Sequence, residues 1–142
     1  MNHEEKSIRE ISVLLVDDDQ TIVELISSML GKLNVKEVII ASCGNDAIKL
    51  YLDTEPDIVF TDYVLEDIDG VTIMKVIKVL NPDIPIVLFT GYYDRLFKRL
   101  LNEDWRPEFV LQKPNIGYNK IKEAFFECFP HLKHGKKGGP SA

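Results

Sequence analysis

Asp17 and Asp18 follow the apolar run ISVLLV, Asp62 follows DIVFT, Thr90 closes IPIVLFT, and Lys113 follows EFVLQ. Three carboxylates, a hydroxyl and an ammonium thus each stand where a short apolar segment stops. Carboxylates are the hard oxygen donors that hold Mg²⁺, an ion that keeps several waters and needs few protein ligands. A hydroxyl and a lysine bind phosphoryl oxygens and offset their charge. The set suits a hard cation beside a phosphoryl group. Singly, each residue has a plainer role. Aspartates after a strand cap the next helix or favour its dipole, a threonine at a strand end is structural, and a lysine is solvated. The weight comes from finding a suitable group at the same end of four segments.

The elements that must position these groups are legible in the hydrophobic pattern. Runs 11–16, 37–41, 57–61, 84–90 and 108–112 barely alternate, as expected of strands buried on both faces of a parallel sheet. Helical spacing separates them. Ile22, Leu25, Ile26, Met29, Leu30 and Leu33 form one stripe, with Gly31 near its end. Ala47, Ile48 and Tyr51 form a second, ahead of Pro56. Ile73, Met74, Ile77 and Leu80 form a third, ahead of Asn81-Pro82. Leu96, Phe97, Leu100 and Leu101 form a fourth, and Tyr118, Ile121, Phe125 and Cys128 a fifth, ahead of Pro130. A βαβαβαβαβα order predicts a doubly wound α/β fold with helices on both faces of the sheet. Ligands of such sheets bind at the carboxyl ends of the strands. Asp17, Asp18, Asp62, Thr90 and Lys113 all fall there.

Composition narrows the class. The chain has 142 residues, 45% hydrophobic and 28% charged, which fits one domain able to bury a core. A net charge of -6 argues against direct nucleic-acid binding. Cys43 and Cys128 make no ligand spacing and point to a reducing compartment. The N-terminus MNHEEKSIRE does not read as a signal peptide, and no apolar run approaches a membrane span. The expectation is a cytoplasmic domain over residues 9–129, with an N-terminal extension (1–8) and a disordered Gly/Lys-rich tail (130–142).

Together VLLVDDD, IVFTDYVLEDIDG, IVLFTG and FVLQKP resemble the receiver domain of response regulators, the CheY-like domain of two-component signalling. The resemblance implies a flavodoxin-like (βα)5 three-layer sandwich with strand order 2-1-3-4-5. It implies that Asp62 is the phosphoacceptor, taking a phosphoryl group from the phosphohistidine of a histidine kinase or phosphotransfer protein to form an aspartyl phosphate. Asp18 would bind Mg²⁺ (or Mn²⁺) directly and Asp17 through water, with the Val64 backbone carbonyl as a further ligand. Thr90 would contact the phosphoryl group and move on activation, beside Gly91. Lys113 would bond the phosphoryl oxygens, and Lys113–Pro114 would be cis. The output would be a switching surface of the fourth helix, fifth strand and fifth helix, offered to a downstream protein or a second copy. Such a chain is a signalling phosphoacceptor, not an enzyme acting on a separate substrate.

The sequence departs from the family in places. Leu65-Glu66 replaces the frequent Met-Pro after the phosphoacceptor, which puts the stiffness of that loop in question. Val110 occupies the usual switch-aromatic position and the aromatic is Phe109, so either Phe109 is core and the switch is absent, or a bulge shifts the register. NEDWRPE makes an unusual loop before the fifth strand. Val64 and Tyr92 hold the two positions that tune phosphoryl loss. Neither readily positions an attacking water, and Tyr92 could shield the site. Of Phe125 and Phe126 the first is expected in the core and the second equally in the core or on a partner face.

Other readings fit less well. A haloacid dehalogenase-type hydrolase needs an aspartate at Val64. A flavodoxin-like cofactor binder needs a phosphate-cradling loop where three aspartates stand. DIDG lacks the acids that a calcium loop requires at Leu65 and Val76, and reads as a turn that starts the third helix. A docking module that is never phosphorylated, or a receiver cut from a hybrid kinase or multidomain regulator, remains as an alternative.

The three consecutive aspartates should therefore divide their labour, with Asp19 capping the first helix rather than binding metal. Asp18→Ala is expected to abolish Mg²⁺-dependent phosphorylation, whereas Asp19→Ala mainly lowers stability. Equal loss of phosphorylation in both variants would contradict that division.

Overall fold

The computed structural model describes residues 6–132. Residues 1–5 and 133–142, which hold part of the expected extension and most of the expected tail, lie outside the described residues. Strands β1 (Ser12–Val16), β2 (Glu37–Ala41), β3 (Ile58–Asp62), β4 (Ile86–Thr90) and β5 (Phe109–Gln112) alternate with helices α1 (Gln20–Lys32), α2 (Gly44–Thr54), α3 (Gly70–Leu80), α4 (Tyr93–Leu100) and α5 (Tyr118–Cys128). The sheet has the order β2-β1-β3-β4-β5, and every pair is parallel. This is the doubly wound, flavodoxin-like sheet that the sequence predicts. No helix among the described residues is long and apolar enough to cross a membrane.

Every residue of β1, β3 and β4 is buried, whereas the edge strands β2 and β5 are partly exposed. Alternate residues of each central strand feed two cores. Val13, Leu15, Ile58, Phe60, Val87 and Phe89 pack with Val23, Ile26 and Leu30 of α1 and Ile121 and Phe125 of α5. Leu14, Val16, Val59, Ile86 and Leu88 pack with Tyr51 of α2, Ile73, Met74 and Ile77 of α3 and Leu96 and Leu100 of α4. Burying a side chain of this size contributes roughly 2 kcal/mol, so unbroken apolar strands are stable only with helices on both sides. Leu25, read as part of the α1 stripe, is instead 41% exposed, and Val23 takes the inward place. Phe125 is in the core and Phe126 is half-buried.

The β4–β5 pairing runs without interruption from Val87↔Phe109 to Thr90↔Gln112. No bulge shifts the register. Phe109 therefore packs toward α1 and α5, and Val110 toward the core under α2, α3 and α4. Glu108 fastens the start of β5. Its carboxylate accepts from the Ile86 N–H and from the buried Lys78 ammonium of α3, both at 2.7 Å. Segments on either side of the expected domain also pack against it. Lys6 pairs with Asp57 at 2.7 Å, His131 Nε2 lies 2.8 Å from the Lys6 carbonyl, and Leu132 packs on the α1–α5 core.

Carboxylates fix the starts of α1, α2 and α3, whereas Tyr92 and Gly117, the N-cap residues of α4 and α5, make no side-chain cap. Asp19 caps α1, accepting from Thr21 and Ile22, and Asp69 caps α3, accepting from Thr72 at 2.8 Å. At α2 the N-cap residue Cys43 makes no side-chain cap. Asp67, from the loop between β3 and α3, caps α2 instead, accepting from Gly44 N–H at 2.9 Å and Asn45 N–H at 2.8 Å. The Asn45 and Gly44 N–H groups hold the Asp67 carboxyl down at about 2. A carboxyl lowered in the folded state adds stability that is fully present above its unfolded pKa and is lost as pH falls through the folded one. Asp67→Asn is thus expected to unfold at lower urea than wild type at neutral pH. The gap should close as pH falls from about 4 to about 2; a gap that does not change with pH would contradict this role.

Candidate functional site

The ladder runs one residue past the strand ends and fixes the site backbone. Asp17 N–H bonds the Ala41 carbonyl at 3.1 Å, Tyr63 N–H bonds Phe89 at 2.9 Å, and Lys113 N–H bonds Thr90 at 2.9 Å. β1, β3, β4 and β5 therefore deliver Asp17, Asp62, Thr90 and Lys113 to one edge. Oxygens of Asp17, Asp18 and Asp62 all lie within 4.8 Å of one another. Asp17 and Asp62 are buried, and Asp18 is exposed. The Lys113 ammonium lies 3.2 Å from Asp62 Oδ2 and 3.4 Å from Asp17 Oδ2. The Lys113–Pro114 peptide is cis.

The two buried carboxylates are under electrostatic stress. Burial pushes the Asp17 carboxyl up to about 6, with the neighbouring Asp62 charge adding to it, against the opposing Asp19 N–H and Lys113. Burial likewise raises the Asp62 carboxyl, although Lys113 and the Val64 N–H oppose it. Burial alone would lower the Lys113 ammonium, but Asp62 and Asp17 together hold it above its ordinary value. At an effective dielectric constant near 20, each contact of Lys113 with a carboxylate is worth about 5 kcal/mol of attraction, comparable with the desolvation of one ion. Three carboxylates against one ammonium leave two negative charges. An all-oxygen donor set of that charge, with one exposed member open to solvent, fits a hard divalent cation such as Mg²⁺.

Thr90 is fully buried, and its hydroxyl oxygen accepts from the Tyr92 N–H at 2.8 Å. Gly91 is exposed beside it. Tyr92 is 53% exposed, with the Arg95 guanidinium 4.9 Å from its ring centre. The Val64 N–H reaches Asp62 Oδ1 at 3.4 Å, which places the Val64 backbone beside the cluster. Phe109, facing the α1–α5 core, and Val110, facing the opposite one, lie in β5 before the site. A cleft of about 620 Å³ between residues 6–9, the end of α1 and α5 contains none of the site residues.

In the sequence DIDG reads only as a turn, and nothing there reveals the bond from Asp67 to α2. Nor does the site reading include Arg99 of α4, which pairs with Asp69 at 3.3 Å and with Glu103, a residue that Lys75 of α3 also contacts at 3.0 Å. The Arg99–Glu103 spacing of four residues was a visible signal. Nothing local marks contacts such as Asp67 to Gly44, 23 residues apart.

Residues 13–116 match the family model of the response regulator receiver domain. The chain is 32% identical over 83 residues to the transcriptional regulatory protein ZraR of Salmonella typhimurium, covering 58% of this chain and 19% of that protein. It is 29% identical over 102 residues to the alkaline phosphatase synthesis transcriptional regulatory protein PhoP of Bacillus subtilis, covering 72% and 42%. The chain thus matches less than half the length of these curated relatives. Among solved structures, the signal receiver domain of an HD domain-containing protein from Pseudomonas fluorescens Pf-5 superimposes with a TM-score of 0.78 at 24% identity, covering 94% of this chain and 96% of that one. The chemotaxis response regulator CheY4 of Vibrio cholerae gives 0.71 at 18% identity, covering 84% and 99%. A family match of this extent, on a sheet of this order, establishes that the chain belongs to the response regulator receiver domains of two-component signalling.

Proposed function

We propose that this domain takes a phosphoryl group from the phosphohistidine of a histidine kinase or phosphotransfer protein onto Asp62. The observation that carries the reading is the convergence of three carboxylates within 4.8 Å, with an ammonium 3.2 Å from Asp62. An Asp62 oxygen attacks phosphorus in line. The new O–P bond forms as the P–N bond breaks, and its electron pair stays on the partner's imidazole. Lys113, already within reach of Asp62, then bonds the phosphoryl oxygens. Asp17, Asp18, Asp62 and the Val64 carbonyl would hold Mg²⁺ or Mn²⁺, which when bound neutralises charge on the transferring group.

The acyl phosphate adds charge beside the buried Thr90. Its hydroxyl oxygen accepts from the Tyr92 N–H, which leaves the hydroxyl proton free to donate to the phosphoryl oxygens. Turning toward them while bonded to Tyr92 would bias α4, which begins at the adjoining Tyr93. The output surface is α4–β5–α5, facing a downstream protein or a second copy. Tyr93 and Phe97 stack edge to face at 4.5 Å, Leu101 is 75% exposed, and Tyr93, Phe109, Val110, Gln112 and Lys120 line a groove of about 330 Å³. With Val110 where an aromatic would respond to Thr90, the switch would rely on α4 rather than on a ring moving in β5.

Incubation with acetyl phosphate and Mg²⁺ is expected to add one phosphoryl group to the intact mass of wild type and none to Asp62→Ala. No gain in wild type would favour a docking module that is never phosphorylated. Since neither Val64 nor Tyr92 activates water, the phosphoform should persist for minutes or longer in buffer with Mg²⁺. A half-life of seconds would contradict the assignment of those two positions.

A further inference from the structure

Glu66, Asp67 and Asp69 follow Asp62 in the loop from β3 to α3, a loop that also carries Val64. Three more carboxylates there would deepen the negative charge of the cluster unless they were directed elsewhere. Two are. Asp69 caps α3, and Asp67 caps α2 across 22 and 23 residues of chain. The cap is a built contact. A Cβ on Gly44 would lie 2.3 Å from Ile68 Cγ1, so Asp67 and Ile68 together seat the loop on the first turn of α2. The far end is equally tight. Gly70 N–H bonds the Tyr63 carbonyl at 2.8 Å, and a Cβ on Gly70 would lie 2.4 Å from the Asp62 carbonyl oxygen. Leu65-Glu66 offers none of the stiffness of a proline. Between its two ends, the loop is held by α2.

We propose that Asp67 is a positioning residue for the metal-binding loop: docked on the N-terminus of α2, it holds the Val64 backbone beside Asp17, Asp18 and Asp62. This rests on the reading of that cluster as a divalent-cation site. The Val64 N–H, 3.4 Å from Asp62 Oδ1, shows the loop already in place against the cluster. Without the Asp67 contact, the segment between Val64 and Asp69 keeps, among the described residues, no hydrogen bond to another element that would fix its path, and the Val64 carbonyl must be ordered when the ion binds.

Mg²⁺ titrations read by the backbone amide shifts of Asp62 and Val64 test this without any phosphorylation assay. Asp67→Ala is expected to weaken Mg²⁺ binding about tenfold, as removal of groups that orient metal ligands does. Gly44→Ala, which pushes Ile68 from the other side, should weaken it in the same direction. Asp19→Ala loses a helix cap of similar kind at α1 and should lower the melting temperature while leaving Mg²⁺ affinity unchanged. Wild-type affinity in Asp67→Ala, or equal weakening in Asp67→Ala and Asp19→Ala, would overturn the proposal. If Asp18→Ala also bound Mg²⁺ as wild type does, the metal-site reading itself would fall.

Discussion

Two buried carboxylates share one ammonium, and the rest of the structure is arranged around that contact. Asp17 and Asp62 come from β1 and β3, adjacent at the centre of the sheet, while Lys113 arrives from β5 at its edge. They can meet only if all three strands run parallel and end at the same level. The ladder bonds that continue through Asp17, Tyr63 and Lys113 set that level. The attraction of one lysine does not cover the burial of two carboxylates and the repulsion between them. The raised Asp17 and Asp62 carboxyls are the direct expression of that deficit. A site left short of positive charge is suited to a divalent cation first and a phosphoryl group afterwards.

The same constraint accounts for the fate of the other acids nearby. An acidic residue close to the cluster is tolerated when its charge is used elsewhere. Asp19, Asp67 and Asp69 each accept backbone N–H groups at the start of α1, α2 and α3, where the helix dipole favours negative charge. Those helix starts lie at the carboxyl edge because every helix follows a strand that ends there. Caps and cluster therefore crowd onto one edge of the sheet. The caps differ from Asp17 and Asp62 in what they face: they bond N–H groups at helix starts, whereas Asp17 and Asp62 face the Lys113 ammonium.

Much of this was legible in the sequence, for reasons tied to particular residues. The five strands were readable because burial on both faces leaves runs such as SVLLV without polar interruption. The site followed from asking what each run delivers at its end. The cap at Asp19 was readable because it bonds within three residues of itself; Asp69 does the same, although DIDG reads only as a turn that starts the third helix. Asp67 and Glu108 were not, since their partners lie more than twenty residues away and only the folded chain brings them close. The stripe of α1 misplaced Leu25 because Leu25 and Val23 both fit an apolar period, and only packing against β1 and α5 distinguishes them. Phe109 and Val110 posed a question of register, which the unbroken pairing of β4 with β5 settles in favour of Phe109 on the α1–α5 side.

Thermal unfolding with and without Mg²⁺ shows whether the carboxylate cluster is incomplete without a divalent cation. An ion that binds only the folded state raises the melting temperature with its concentration, by mass action. A cluster short of positive charge predicts a melting temperature of wild type that climbs with Mg²⁺ until the site is filled, and no such climb in Asp18→Asn. A wild-type melting temperature indifferent to Mg²⁺, or an equal rise in both proteins, would contradict it.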